Sequence, residues 1–297
     1  MIRKIILVIC LIVFCGSGYY LVKYVTDNTA AEKTVAQVAE IKSRGLDEVF
    51  AENNDLVGWI QIEGTKIDYP VMQTGNATGE PNPEFYLHRD FNKESSASGT
   101  PFADDGSVID GATRLRDAGD SGGIKVGEGY IIDHPTWNWL IYGHHMRFGT
   151  MFHDLLEFED KDFWEQHKTF EFDHIVISEG ADGALTAGEV DEEYEIIAAA
   201  YSQIYEEDSD AFKYYTYTGF YDEDSFNEYI DGVKAEACYD TGVTAEYGDQ
   251  LVTLSTCAYH TSSGRRYIVG RRINEGRCRT FHSPPASRVL WPEIWIF

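Results

Sequence analysis

The chain has 297 residues, 43% hydrophobic and 25% charged, which excludes a disordered or fibrous protein and fits one large globular domain or two small ones. Acidic residues outnumber basic ones 50 to 24, for a net charge of −26; residues 1–25 and 271–297 each carry +3, which leaves −32 on residues 26–270. A body that acidic repels phosphate backbones and argues against nucleic acid as a partner.

The first 25 residues, MIRKIILVICLIVFCGSGYYLVKYV, place Arg3 and Lys4 before an uncharged run from Ile5 to Val22. A helix of that length is about long enough to cross the hydrocarbon layer of a bilayer. The positive flank predicts a cytoplasmic N-terminus, with everything after Val25 outside. A signal peptide cleaved near Gly16-Ser17-Gly18 is the rival reading. Tyr19 to Val25 prolong the apolar stretch and add interfacial tyrosines, which favours an uncleaved anchor. Lipidation at Cys15 is disfavoured by the bulk of Phe14 before it.

A helix is expected to start at Asp27 or Asn28, with Val35, Val38 and Ile41 at helical spacing and Leu46, Val49 and Phe50 after Gly45. Residues 26–55 read as a stalk that packs on the domain. From Leu56 the period changes to two. VGWIQI and TKIDYPVMQ are short strands joined at Glu63-Gly64. The polar stretch from Asn92 to Gly129 is too long for an ordinary connection and reads as a surface excursion, with Asp104, Asp105 and Asp110 as solvated loop acids rather than a calcium site. WNWLIYGHH is a further strand running into a turn. Thr150 to His167 read as short helical pieces with Met151, Phe152, Leu155, Leu156 and Phe158 inward. TFEFDHIVIS and EYEIIAAAYSQI are strands around a turn at ADGALTAG, SFNEYIDGVKAEA is an amphipathic helix with Cys238 in its core pattern, and LVTLST and RRYIVGRRI are the last strands. Many short strands without strand–helix alternation predict a mainly β barrel or sandwich. The tail 274–297 is basic and proline-bearing and reads as a disordered extension.

The five cysteines, Cys10, Cys15, Cys238, Cys257 and Cys278, show no disulfide or zinc spacing. Cys257 ends the run LVTLSTC and is followed within ten residues by Arg265 and Arg266. A nucleophilic thiol needs a histidine or cationic partner and a donor for the oxyanion formed at an attacked carbonyl. His144 or His145 supplies the first and an arginine the second. Side chains alternate along a strand, so only one of Arg265 and Arg266 faces the thiol. Arg271 and Arg272 read as solvent-facing strand-end charges.

TLSTC, IYGHHM with MFHDL just after it, and the opening VGWI…GTKIDYPV resemble the class B sortases over about Leu56 to Ile273. The resemblance implies a closed eight-stranded β-barrel with peripheral helices and an N-terminal helix. With the readings above, the chain divides into an anchor at 1–25, a stalk at 26–55, a catalytic barrel at 56–273 that the resemblance covers, and the tail. The resemblance implies cysteine transpeptidation with Cys257 as the thiol, a protonated His144 as its histidine and Arg265 as the arginine. Tyr142 and Ser255 match groove-lining positions, and Leu87 an apolar wall for the peptide. The implied partners are the sorting-signal peptide of exported surface proteins, an amine acceptor on a peptidoglycan precursor or pilin, and the membrane through the N-terminal helix. No metal or organic cofactor is implied. A cysteine hydrolase of exported peptides and a non-catalytic surface-binding module remain the alternatives.

Overall fold

The structure, a computed structural model, describes residues 2–74, 82–109, 125–126, 130–131, 135–179 and 185–273. Asp110, residues 110–124 and 127–129 of the polar excursion, Cys278 and the 274–297 tail lie outside these residues.

The apolar N-terminal run and the stalk form one helix, α1 (Ile2–Lys42), followed by the short α2 (Leu46–Glu52). The helix does not restart at Asp27. Its first half is exposed along Ile5–Val22, whereas Ala31 and Val38 are buried and Tyr24, Val35, Ala39 and Ile41 pack at the edge of the core. The spacing of these contacts puts them on one helical stripe. Lys42 closes the stripe with a 3.2 Å ion pair to Asp173.

From Leu56 the chain forms strands: β1 (Leu56–Gln61), β2 (Asp68–Met72), β3 (Phe102–Ala103), β6 (Asn138–Tyr142), β7 (Thr169–Glu179), β8 (Leu185–Val190), β9 (Glu193–Gln203), β10 (Leu251–Cys257) and β11 (Gly264–Arg272), with a small ribbon of β4 (Lys125–Val126) and β5 (Tyr130–Ile131) apart from them. The order β1-β2-β3-β6-β10-β11-β9-β7 closes through β1–β7 pairing into an eight-stranded barrel, and β8 hangs on β7 as a ninth strand. Closure leaves these strands no free edge, which a mainly β chain of this size otherwise has to protect.

Two apolar clusters share the sheet. One fills the barrel with Trp139, Ile141, Phe172, Ile196, Val252, Leu254 and Ile268 and extends beneath α1 and α2. The other covers the outer face of β10 and β11, where Tyr267 and Val269 meet Phe226, Tyr229, Ile230 and Val233 of α4 (Glu223–Glu236). Asp222 and Ser225 form a reciprocal capping box that starts α4. Between β6 and β7, a 3-10 helix at Phe152–Glu159 and α3 (Lys161–Gln166) follow the expected short helical pieces, with Phe152, Leu155 and Phe158 buried.

Four expectations are corrected. Residues 185–188, expected in the turn ADGALTAG, belong to strand β8. The described part of the polar excursion is a surface loop only in part: residues 92–95 and Asp105 are exposed, but Ser96, Ser98, Thr100, Ala103, Asp104, Ser107 and Ile109 are buried, because β3 inserts between β2 and β6 and draws its flanks in. Cys238 is exposed beyond the end of α4, not in its core pattern. Arg271 pairs with Glu195 at 2.9 Å and Arg272 with Glu192 at 2.7 Å, so neither is a free strand-end charge.

Candidate active site

Cys257 is the last residue of β10 and is half-buried. Antiparallel pairing sets it opposite Arg265, and Thr256 opposite Arg266. Directly paired residues share a face, so Arg265 lies on the thiol's side and Arg266 on the other. That face also carries Ser255 and Thr253, whose hydroxyls meet Tyr214 at 2.6 Å and Tyr229 at 2.8 Å. The thiol therefore sits at the end of the barrel's outer face, beside the wall that α4 and residues 204–222 build.

Parallel pairing of β6 with β10 puts Tyr142 opposite Ser255. The pairing continues past the strand, where Gly143 N–H donates to Ser255 O at 3.0 Å and Thr256 Oγ1 donates to Gly143 O at 2.7 Å. These bonds bring His144 level with Cys257. Gly143 is needed here because a Cβ would lie 2.6 Å from the Phe152 ring. The His144 Nε2 is 2.8 Å from the Leu87 carbonyl, and the His88 ring lies 6.0 Å away. Burial lowers the His144 pKa, the Leu87 carbonyl opposes this, and His88 adds to the lowering. Burial thus works against the imidazolium that the resemblance implies. The neighbouring His145 ring is hydrogen-bonded to the Cys257 main chain and lies against His153 and Tyr259.

Arg265 is buried, with Nη1 donating to Gly264 O at 3.0 Å and to Ser263 O at 3.4 Å. Its charge acts on Tyr142, Tyr214 and Tyr215, each of whose pKa values it lowers against the larger rise from burial. Arg266, on the opposite face of the strand, is not open to solvent. It is fully buried, donates from Nε to Leu155 O at 3.1 Å and from Nη1 to Cys238 Sγ at 3.0 Å, and lies 4.5 Å from the Tyr201 ring centre.

The remaining sequence-chosen residues fall around this group. Tyr142 is half-buried at the end of β6, and Leu87, on the 3-10 helix Phe85–His88, is half-buried with its carbonyl on His144. Ser255 is fully buried and its hydroxyl is engaged by Tyr214, so it reaches a peptide only if Tyr214 swings away. Sequence reasoning missed Tyr214, which stacks on Tyr267 at 4.0 Å, because nothing in KYYTYTG distinguishes it from its neighbours. It also missed Asp104. This carboxyl is buried, accepts from Gly106 N–H at 2.9 Å and from Tyr142 OH at 3.2 Å, and is pushed up to about 7 by burial and by Asp105.

A stability prediction follows from Asp104. Between its usual value of 3.8 and about 7, the folded protein keeps a proton that the unfolded chain releases. This carboxyl therefore costs stability as pH rises from about 4 to about 7, and the cost is complete above that range. Asp104→Asn cannot titrate, so its denaturant midpoint should lose this decline relative to wild type. Parallel midpoint-against-pH curves for the two proteins would show that Asp104 does not carry the effect.

No protein-family model matches the chain. Sortase B of Listeria monocytogenes is 30% identical over 228 residues, covering 77% of this chain and 71% of that protein. Sortase B of Staphylococcus aureus is 26% identical over 284 residues, covering 91% of this chain and 95% of that protein. Among solved structures, sortase B from L. monocytogenes aligns with a TM-score of 0.51 at 29% identity, over 77% of this chain and 98% of that one. A S. aureus sortase B–substrate complex aligns with a TM-score of 0.59 at 21% identity, over 84% of this chain and all of that one, 100%.

Proposed function

The chain belongs to the class B sortases, and from that premise we propose that it is a membrane-anchored transpeptidase that cuts a sorting signal after threonine and passes the new carboxyl end to an amine. The observation that carries this reading is the pairing of Cys257 with Arg265 on one face, at the end of a strand whose neighbour delivers His144.

The proposed peptide partner is the C-terminal signal of an exported surface protein, of LPxTG or NPxTN type, as the resemblance of the TLSTC and IYGHHM segments to the family implies; a S. aureus relative has been solved with its substrate. The neutral His144 takes the thiol proton as Cys257 attacks the threonine carbonyl. The carbonyl π electrons move onto oxygen, and Arg265 donates to the oxyanion. Collapse expels the amine, which receives the proton from His144 and leaves a thioester on Cys257. The acceptor amine then attacks the thioester, gives its proton to His144, and releases the thiol with a new amide bond. Tyr142 and Leu87 line the groove for the peptide, with Ser255 beneath it. The acceptor is an amine of a peptidoglycan precursor or a pilin.

Mass spectrometry of products from a pentapeptide library, with and without candidate amines, tests this assignment. Amide-linked product in the presence of amine is expected. Free threonine acid in equal yield with or without amine would make the protein a hydrolase, and uncleaved peptide would make it a binding module.

The exposed Ile5–Val22 run supports residues 1–25 as the anchor of a Gram-positive-type envelope enzyme, with the stalk at 26–55 and the catalytic barrel at 56–273 outside the cell. The full chain should stay in the membrane fraction with its N-terminus intact; mature protein cut after Gly18 would replace the anchor with a signal peptide.

A further inference from the structure

The loop after His144 returns on itself within eight residues: Gly149 N–H donates to Met146 O at 2.9 Å, His145 bridges Met151, and Phe152 N–H donates to His144 O at 3.0 Å. Its tip presents Arg147 and Phe148 to solvent, and Phe148 is 48% exposed although it is a large apolar ring. The covered side of that ring packs on Tyr24 of α1, with centroids 5.1 Å apart. Tyr24 comes two residues after Val22, where the uncharged run ends. At the rise of an α-helix, two residues place it about 3 Å beyond the hydrocarbon layer. The headgroup region on each side of that layer is about 5–7 Å deep. A ring packed on Tyr24 therefore lies within the headgroup region.

The docking of α1 fixes this level. The helix is held to the barrel by Ala31, Val35 and Val38 and by the Lys42–Asp173 ion pair. Met151, at the base of the loop, donates its N–H to the hydroxyl of Tyr69, which itself lies beside α1. Charge at the tip runs against the rest of the domain. Exposed Lys23 lies next to Tyr24 in sequence, Arg147 next to Phe148, and the Lys66 ammonium lies over Gly149, 2.9 Å from where a Cβ would be. Acids stand beside this rim as well: Asp154 accepts the Lys66 main-chain N–H, and Asp27 and Glu32 follow Lys23 along α1. On a chain of net charge −26, a basic and aromatic rim at the end of a membrane helix is complementary to an anionic lipid surface.

We propose that the Arg147–Gly149 tip docks on the outer face of the bilayer that holds the anchor, with Phe148 in the headgroup layer and Lys23, Lys66 and Arg147 against anionic headgroups. The loop that begins at His144 is thereby held at the membrane surface. An acceptor amine carried on a lipid reaches Cys257 without leaving the interface. This inference rests on the anchor reading above.

The test uses the full chain in vesicles of phosphatidylcholine with phosphatidylglycerol as the anionic component. A photoreactive benzoylphenylalanine replaces Leu11 in the span, Phe148 at the tip, or exposed Tyr221 just before α4, and lipid adducts are measured by mass spectrometry. Adducts are expected from Leu11 and Phe148, the latter about fivefold or more above Tyr221. Adducts from Leu11 with Phe148 no higher than Tyr221 would overturn the docking and leave the anchor standing. No adducts from Leu11 would overturn the anchor, and the docking with it. In purely zwitterionic vesicles the Phe148 yield should fall while the Leu11 yield holds. An unchanged Phe148 yield would overturn the pairing with anionic headgroups.

Discussion

Cys257→Ala should lower both peptide cleavage and amine transfer by about four orders of magnitude or more, because no other group in the site can form the thioester. Cys238→Ala is the matched control. Cys238 is exposed, but it sits past α4 on the side of Arg266, and its sulfur accepts a hydrogen bond from that buried guanidinium. Its loss should cost a modest amount of stability and leave turnover within a few-fold of wild type. Both rates are read with one peptide and one amine, and labelling of the remaining thiols confirms which cysteine was removed. Full cleavage by Cys257→Ala, or loss of cleavage in a folded Cys238→Ala, would remove Cys257 from the mechanism.

Arg265→Ala should lower turnover by about a hundredfold to a thousandfold, the usual cost of losing one preorganised donor to an oxyanion. Arg265→Lys should restore only part of it, because an ammonium lacks the planar two-donor fork. Arg266→Ala should act on the fold instead. Removing it leaves Leu155 O without its donor and empties the space against Tyr201. It also relieves the burial of a charge whose Nη2 has no hydrogen-bond partner. The first effect outweighs the second, for a net loss of about 1–3 kcal/mol. Arg266→Ala should therefore melt earlier and keep its turnover per folded molecule. Rates taken well below each melting temperature separate the two arginines. A folded Arg266→Ala without activity, beside an active Arg265→Ala, would give the oxyanion role to Arg266.

Several features were legible in the chain alone, because they depend on local chemistry and period. The uncharged run from Ile5 to Val22, the switch to period two at Leu56, and the strand LVTLST ending on Cys257 each follow from neighbours in sequence. Alternation along β11 separated Arg265 from Arg266 for the same reason. It could not say that the second face is buried. A strand in an open sheet shows one face to water, but barrel closure and α4 cover both faces of β11, so Arg266 is enclosed rather than solvated. Other contacts join residues far apart in the chain: the Leu87 carbonyl with His144, Tyr214 with Ser255, and Asp104 with Tyr142. No local pattern encodes them. The insertion of β3 between β2 and β6 converted Asp104 from an expected loop acid into a buried carboxyl. The sequence by itself determined which residues are candidates for the chemistry; the tertiary structure decided their partners and which of them water can reach, because burial and closure are properties of the whole sheet.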